Sequence, residues 1–396
     1  MPLPLSPAER TFLEENLTAD PAHLVLQAKK WPQLDVPKLA QQIRARQKAK
    51  SKIPSWASNL DLLFPANLSV EQSSSQLTAA YKAGLVSGET LVDLTGGFGV
   101  DAYHFARHFR HVTYVEQQEE LARIVAFNFT QLEVKNITVE ATEAETFLRS
   151  LEHPVDVLFL DPARRGQSQE RVHLLQDCEP DVIGLLPLLF QKSKAVLLKT
   201  APMLDIDLAL QKLNHVAQVW VIAVQNECKE VLYLLKPDAV GAPQITAVHL
   251  RPEKEEEPLT FTKEEEENAQ VTFSEPQRYL YEPNTALLKA GAYKWLSERY
   301  RVHKLNRNSH LYTSSELVEA FPGRIFVITS NPKANVKELQ QLLPQKKANI
   351  TVRNYPLTVA QLREKIKLKE GGEDYLFATT DLHNKPILLL CKKVIS

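Results

Sequence analysis

From residue 90 onward, apolar residues fall into short β-branched runs: TLVDL (90–94), HVTYVE (111–116), ITVE (137–140), VDVLFLD (155–161) and AVLLKT (195–200). Between them, QEELARIVAFNF and AETFLRSL repeat apolar residues every three or four positions, the spacing of a helix with one buried face. Strands alternating with helices at this rhythm predict an α/β domain with a parallel, doubly wound sheet. The rhythm then breaks. VAQVWVIAV (216–224) and VLYLLK (231–236) are separated only by QNECKE, too few residues for a crossover helix, so this pair is expected to be antiparallel. The predicted sheet is therefore a parallel run closed by a hairpin.

On either side the pattern differs. Residues 1 to about 70 read as amphipathic helices, for instance AERTFLEENL and VPKLAQQIRARQKAKSK. After about 240, PEKEEEPLTFTKEEEEN (252–268) carries eight glutamates against two lysines and reads as an exposed loop or linker. Beyond it lie small α+β pieces. The expected organisation is a helical region over 1–75, the α/β domain over 76–240, a linker and small domain over 241–325, and a last domain over 326–396.

Composition narrows the function classes. A formal net charge of −1 over 396 residues gives no global argument for a nucleic-acid partner. A local one exists at 29–52, with eight Lys or Arg against Asp35 alone, flanked by Trp31 and Trp56. This segment suits either a phosphate backbone or a solvated helix face anchored by its tryptophans. The apolar runs VIGLLPLLF and ILLLC are too short to span a membrane, and the N-terminus lacks the features of a signal peptide. Cys178, Cys228 and Cys391 are too scattered for a zinc site or a disulfide framework, and Cys178 is expected in the core of the helix after the fourth strand. No metal is expected, and a cytoplasmic location fits best.

The candidate chemistry starts at LVDLTGGFGVDAYHFA (91–106), a strand, an acid, a glycine turn and a helix start. Such a turn offers backbone N–H groups and close approach to an anionic or nucleotide-like ligand. A phosphate loop of the G-x-x-x-x-G-K-[ST] type is excluded, because no Lys follows. Gly97-Phe98-Gly99-Val100-Asp101-Ala102 also satisfies a dinucleotide fingerprint. Glu116, seventeen positions after Gly99 at the end of the next strand, suits the hydroxyls of a ribose without choosing among nucleotide ligands. Asp161-Pro162 ends the fourth strand at the crevice where open α/β sheets bind ligands, and Pro162 stiffens its exit.

DLTGGFG resembles the first motif of class I S-adenosylmethionine-dependent methyltransferases, with Thr95 where a glycine usually stands, and DPARRG resembles their fourth motif. The chain as a whole is similar to a bacterial group of these enzymes with a C-terminal THUMP-like domain. The likeness is carried by LSVEQSSSQLTAAYKA, DLTGGFGVDAYHFA, LDPARRG, KTAPMLDI, NECKEVL, YEPNTALLKAGAYKWL, NSHLYTS and FPGRIFVI, and covers nearly all of 60–396. It implies a Rossmann-like methyltransferase sheet, a ferredoxin-like segment over 281–325 and a THUMP-like unit at the end. S-adenosylmethionine would be held by Gln72, Ser73, Ser74, Asp93, Thr95, Gly97, Gly99, Glu116 and Glu143, the last beside the adenine amino group. Asp161 would orient the acceptor or take its proton, with Arg164, Arg165 and Lys199 on substrate phosphates. DPARRG also resembles the loop of uridine C5 methylases, but LLKTAPMLDIDL lacks the cysteine they need, so no covalent intermediate is expected. True THUMP domains bind structured RNA, which implies a tRNA or rRNA substrate. Lys346, Lys347, Arg353, Arg363, Lys365, Lys367, Lys369, Lys392 and Lys393 give the last domain local positive charge. Two alternatives stand beside this reading: methylation of a small anionic molecule, and non-catalytic RNA binding with retained cofactor.

Overall fold

The computed structural model describes residues 4–65, 67–164, 175–252 and 256–394. The chain divides into two units. The first comprises 1–219, 229–241 and 250–255; the second comprises 220–228, 242–249 and 256–396.

Among the described residues the first unit opens with α-helices α1 Pro7–Asn16, α2 Pro21–Leu26, α3 Val36–Ala49, α4 Pro54–Ser58, α5 Asn67–Gln72 and α6 Gln76–Ala83. Each of the first four has proline within its first two positions, where a missing N–H costs nothing. Phe12, Leu13, Leu24, Val36, Leu39 and Ile43 form one buried cluster, set by the three-four spacing of α3. The basic segment is only partly a solvated face. Arg46 is 2% exposed and donates to the carbonyls of Ala57, Asn59 and Leu62, and Lys52 binds those of Glu71 and Ser73. The tryptophans turn inward: Trp31 meets Phe12 edge-on, and Trp56 meets Phe98 of the glycine turn at 5.1 Å between ring centroids.

The strands and helices that follow are β1 Thr90–Asp93, α7 Val100–Phe105, β2 His111–Val115, α8 Glu119–Gln131, β3 Ile137–Glu140, α9 Ala144–Ser150 and β4 Val155–Leu160. A two-residue ribbon pairs β5 Ala163–Arg164 with β6 Cys178–Glu179. Then come α10 Val182–Lys192, β7 Ser193–Thr200, α11 Ile206–Lys212, β8 Val216–Val224 and β9 Glu227–Leu235. Cys178 thus lies on a short strand and is half-buried, not in a helix core, because the chain after β4 forms the ribbon before its helix starts.

In the sheet, β3, β2, β1, β4 and β7 run parallel in that spatial order, and β9 adds antiparallel beside β7. β4 and β7 are apolar almost throughout because helices cover both faces. The chain winds from β1 toward β2 on one side and toward β4 on the other. The crevice at this switch point opens at the C-terminal ends of β1 and β4. β8 and β9 are joined by Gln225 and Asn226, both at positive φ (50° and 63°), as a two-residue hairpin turn requires. The strands are therefore longer than the hydrophobic runs suggest, and Glu227 and Lys229 sit on a strand instead of in a loop.

In the second unit, β10 Gln244–Leu250 pairs antiparallel with β11 Leu259–Thr262, and α12 Lys263–Asn268 follows directly. The acidic stretch is thus a strand and a helix over most of its length, in place of the expected linker. Thr262 and Glu265 form a reciprocal cap, and the Glu266 carboxylate accepts the backbone N–H groups of Lys294 (2.8 and 3.0 Å) and Trp295 (2.9 Å). The glutamates satisfy helix starts, which alternating charge alone does not reveal.

The remaining elements are β12 Tyr279–Pro283, α13 Thr285–Ala290, α14 Lys294–Tyr300, β13 His303–Lys304, β14 Tyr312–Ser314, β15 Gly323–Ser330, α15 Val336–Leu342, β16 Asn349–Val352, α16 Val359–Ile366, β17 Asp374–Thr380 and β18 Pro386–Lys393. They build one sheet in the order β13-β14-β12-β15-β18-β17-β16. Its centre is the β12–β15 pair, five residues in register, so the segments either side of residue 323 share a sheet and a core of Leu280, Leu305, Leu311, Phe326, Phe377 and Leu389. Glu282 on β12 is 2% exposed and receives Arg324 in a two-point contact, with Arg353 at 3.2 Å. No helix among the described residues is long and apolar enough to cross a membrane.

Candidate active site

The site forms where β1, β2 and β4 end. Asp93 is 1% exposed; its Oδ1 accepts the Thr95 N–H at 3.0 Å, and its Oδ2 is buried without a hydrogen-bond partner. Burial first, then Asp101 nearby, pushes its pKa well above the usual carboxylate range. Thr95 Oγ1 accepts the Asp161 N–H at 2.6 Å. The residue that replaces a glycine thus ties the end of β1 to the end of β4.

The turn is shaped by contacts only glycine permits. A Cβ on Gly96 would stand 2.2 Å from the Tyr114 ring, and Gly99 takes φ +78° at the N-cap of α7 with Val125 2.7 Å from where its Cβ would be. The expected anion cradle is largely closed, however. Gly96 N–H donates to Val115 O, Gly97 N–H to Glu116 Oε2 (3.0 Å) and Gly99 N–H to Gly96 O. Glu116, buried at the end of β2, also accepts the Gln118 N–H at 2.8 Å. Glu116 and the carbonyls of Val115 and Gly96 thus take the amides a pyrophosphate would need. The arrangement suits a nucleoside better than a dinucleotide.

Beside this turn lies a buried charge network. Lys82, fully buried on α6, donates to Asp101 Oδ1 (2.9 Å) and Ser74 Oγ (3.1 Å) and lies 3.3 Å from Glu230 Oε2. Ser74 Oγ donates to Asp101 Oδ2 at 2.7 Å. Lys199, at the end of β7, pairs closely with Asp161, reaches Ser74 Oγ at 3.2 Å and stands 3.8 Å from Glu230. Burial opposes the Lys199 charge, but Asp161, Glu230 and Asp101 outweigh it and raise its pKa, so Lys199 stays protonated. Burial also opposes ionisation of Asp101; Lys82, Lys199 and the Ser74 hydrogen bond reverse this and lower its pKa.

The predicted residues therefore divide. Ser74, Asp93, Thr95, Gly97, Gly99, Glu116, Asp161 and Lys199 gather at the crevice. Lys199 is not offered to solvent as a phosphate contact; it is 8% exposed and committed to Asp161. Gln72 is exposed, Ser73 Oγ bonds the Val70 carbonyl within its own turn, and Glu143 is exposed at the N-cap of α9. Arg164 lies on β5, with its side chain, like all of Arg165, outside the described residues. Sequence reasoning missed Lys82, Asp101 and Glu230. Their signal was present but faint: a lysine among alanines on an apolar helix, an acid directly after the glycine turn, and a glutamate in phase with Leu232 on a strand.

A crystal structure titled "putative methyltransferase from Porphyromonas gingivalis W83" shares 34% identity with this chain over 98% of both chains, at a TM-score of 0.86. The chain belongs to this methyltransferase family. It is a class I methyltransferase with a C-terminal THUMP-like domain: residues 279–322 match a ferredoxin-like domain and residues 323–393 a THUMP domain-like model. No curated protein matches it. Two further structures align with the methyltransferase only in part. One is a conserved hypothetical protein of Streptococcus pyogenes, at 18% identity over 38% of this chain and 88% of that one. The other is an rRNA methylase of Streptococcus thermophilus, at 15% over 40% and 93%. Both have a TM-score of 0.30.

Proposed function

We propose that this methyltransferase uses S-adenosylmethionine to methylate a base in structured RNA, tRNA or rRNA, without a covalent enzyme intermediate. The observation that carries the reading is the set of carboxylates closing β1, β2 and β4 around the glycine turn, with Asp93 Oδ2 buried and unpartnered. The residues fit the cofactor. Asp93 suits its amino-acid end, Glu116 its ribose hydroxyls, and Glu143 its adenine amino group; Gln72, Ser73 and Ser74 lie close by, the Ser74 hydroxyl being already held by Asp101, Lys82 and Lys199. When bound, the cofactor supplies a methyl group already activated on sulfonium sulfur. The protein's work is then positioning, for which roughly 7–11 kcal/mol is available in favourable cases.

Asp161 is oriented by two partners, Thr95 through its N–H and Lys199 through its carboxylate. Its part is to accept a hydrogen bond from the acceptor N–H or O–H and aim the lone pair. Arg164 and Arg165 follow directly and suit substrate phosphates.

Support for RNA lies in the THUMP-like domain. The Ala348 N–H donates to Lys369 O and the Lys369 N–H to Lys346 O, which sets Lys346, Lys347 and Lys369 side by side, all exposed. Exposed Lys365 and Lys367 flank them in sequence. Clustered lysines bind phosphates with strong salt dependence.

The test is incubation with methyl-labelled S-adenosylmethionine and total RNA from cells lacking the gene. Label in a discrete RNA band is expected. Cofactor binding with no label in any RNA fraction would overturn the RNA reading and favour a small anionic substrate or a non-catalytic role.

A further inference from the structure

Among the described residues, the network beneath the glycine turn has more carboxylates than lysines to pair with them. Lys82 and Lys199 stand against Asp101, Asp161 and Glu230, with Asp93 close enough to Asp101, Asp161 and Lys82 to feel their charges. Two carboxylate oxygens in it, Asp93 Oδ2 and Glu230 Oε1, are buried with no hydrogen-bond partner. Among the described residues, three further titratable groups act on it. Half-buried Lys52 senses Asp161 and Lys199, Lys229 lies beside Lys52, and His104 faces Asp101 and Lys82. Burial first opposes ionisation of both Asp93 and Glu230, as expected where charge is uncompensated. An interior with excess negative charge is costly unless a cation completes it.

S-adenosylmethionine carries a sulfonium, an ammonium and a carboxylate, and so one net positive charge. Its demethylated product is a neutral thioether zwitterion. We propose that Glu230 biases the pocket toward the cationic cofactor over its neutral product, as a specificity-determining charge that acts through Lys82 and Lys199 without touching either ligand. The inference rests on the cofactor reading given above. Glu230 is suited to this part because each lysine is already engaged by an aspartate, Lys82 by Asp101 and Lys199 by Asp161. Glu230, at 3.3 and 3.8 Å from the two ammonium groups, adds charge that neither needs for pairing. Its consequence is practical: product leaves a site whose field no longer holds it.

The experiment is calorimetric titration of the full chain, wild type and Glu230→Gln, with three ligands. These are S-adenosylmethionine, S-adenosylhomocysteine and sinefungin, an analogue with a cationic amine in place of the sulfonium. Wild type should bind both cations more tightly than the thioether. Glu230→Gln should shrink that preference on the order of tenfold, the effect of one nearby buried charge, while thioether affinity stays within about twofold. Glu230→Asp, which keeps the charge, should retain the preference. An unchanged ratio in Glu230→Gln, or an equal loss for all three ligands, would overturn the proposal. If Glu230→Gln fails to fold, the wild type alone decides: a thioether bound as tightly as the two cations overturns the proposal. Failure of wild type to bind any of the three would remove the cofactor reading itself, a distinct outcome.

Discussion

The sharpest test of the buried network is removal of its most enclosed cation. Lys82→Met keeps the length and apolar stem of the side chain but deletes the charge, and with it the ammonium's contact with the face of the Phe159 ring. Asp101 then keeps only the Ser74 hydrogen bond, and Glu230 keeps only Lys199 at 3.8 Å. Breaking a buried pair from one side costs about 3–5 kcal/mol, because the remaining charge stays desolvated. For a unit of roughly 240 residues this lowers the melting temperature by about 6–20 °C. Adding Glu230→Gln removes one of the two stranded carboxylates and should recover about 1–2 kcal/mol, so the double variant is more stable than Lys82→Met alone. Scanning calorimetry of the four proteins of this cycle gives the coupling directly. A loss below about 1 kcal/mol for Lys82→Met would refute the reasoning, since the lysine would then hold nothing the solvent could not. A double variant as unstable as the summed singles would refute the pairing with Glu230.

Other consequences follow from single contacts. Gly96→Ala drives a methyl group into the buried Tyr114 ring and should cost about 2–3 kcal/mol in urea unfolding, with weakened cofactor binding; a cost under about 0.5 kcal/mol would show the turn to be more yielding than drawn. Asp93→Asn should weaken S-adenosylmethionine binding at least about tenfold in calorimetry with the melting temperature unchanged or raised, because burial already opposes ionisation of that carboxyl; unaltered affinity would exclude Asp93 from the pocket. Burial first, then Arg107, lowers the pKa of His104 from 6.5 to about 4. The folded chain then binds that proton less readily than the unfolded one, so the contribution is complete above about pH 6.5 and fades, by up to about 1.4 kcal/mol per pH unit, toward pH 4. His104→Phe should lessen the stability lost over that window, and identical acid profiles would refute it. Cutting the chain at 322/323 exposes the paired edges of β12 and β15 and opens a shared core, so 323–396 alone should show no cooperative melting by circular dichroism. A cooperative transition would show that unit to be independent.

Much of the fold can be read from one dimension. β1, β2, β3, β4 and β7 appear as β-branched runs because buried parallel strands need apolar residues on both faces, and α8 and α9 appear through their three-four spacing. The glycine turn, Glu116 and Asp161 are legible for a related reason: at a strand end the backbone dictates both the position and the direction of the side chain. Elements set by distant partners leave no such trace. Glutamates 264–267 read as linker because their value lies in capping helix starts, one of them nearly thirty residues away at Lys294. Arg46 and Lys52 read as surface charge because the carbonyls they bind are brought to them only by folding. The sharing of one sheet by the ferredoxin-like and THUMP-like segments is likewise a matter of which strands meet. So is the charge network: Ser74, Lys82, Asp101, Asp161, Lys199 and Glu230 span more than 150 positions, and each is unremarkable in its own neighbourhood. The sequence determined the sheet, the turn and the acids at its strand ends, because local periodicity and backbone sterics suffice for those. Only tertiary structure decided that Lys199 neutralises Asp161 and that a buried glutamate stands behind both, because burial and pairing are properties of residues that the chain itself keeps far apart.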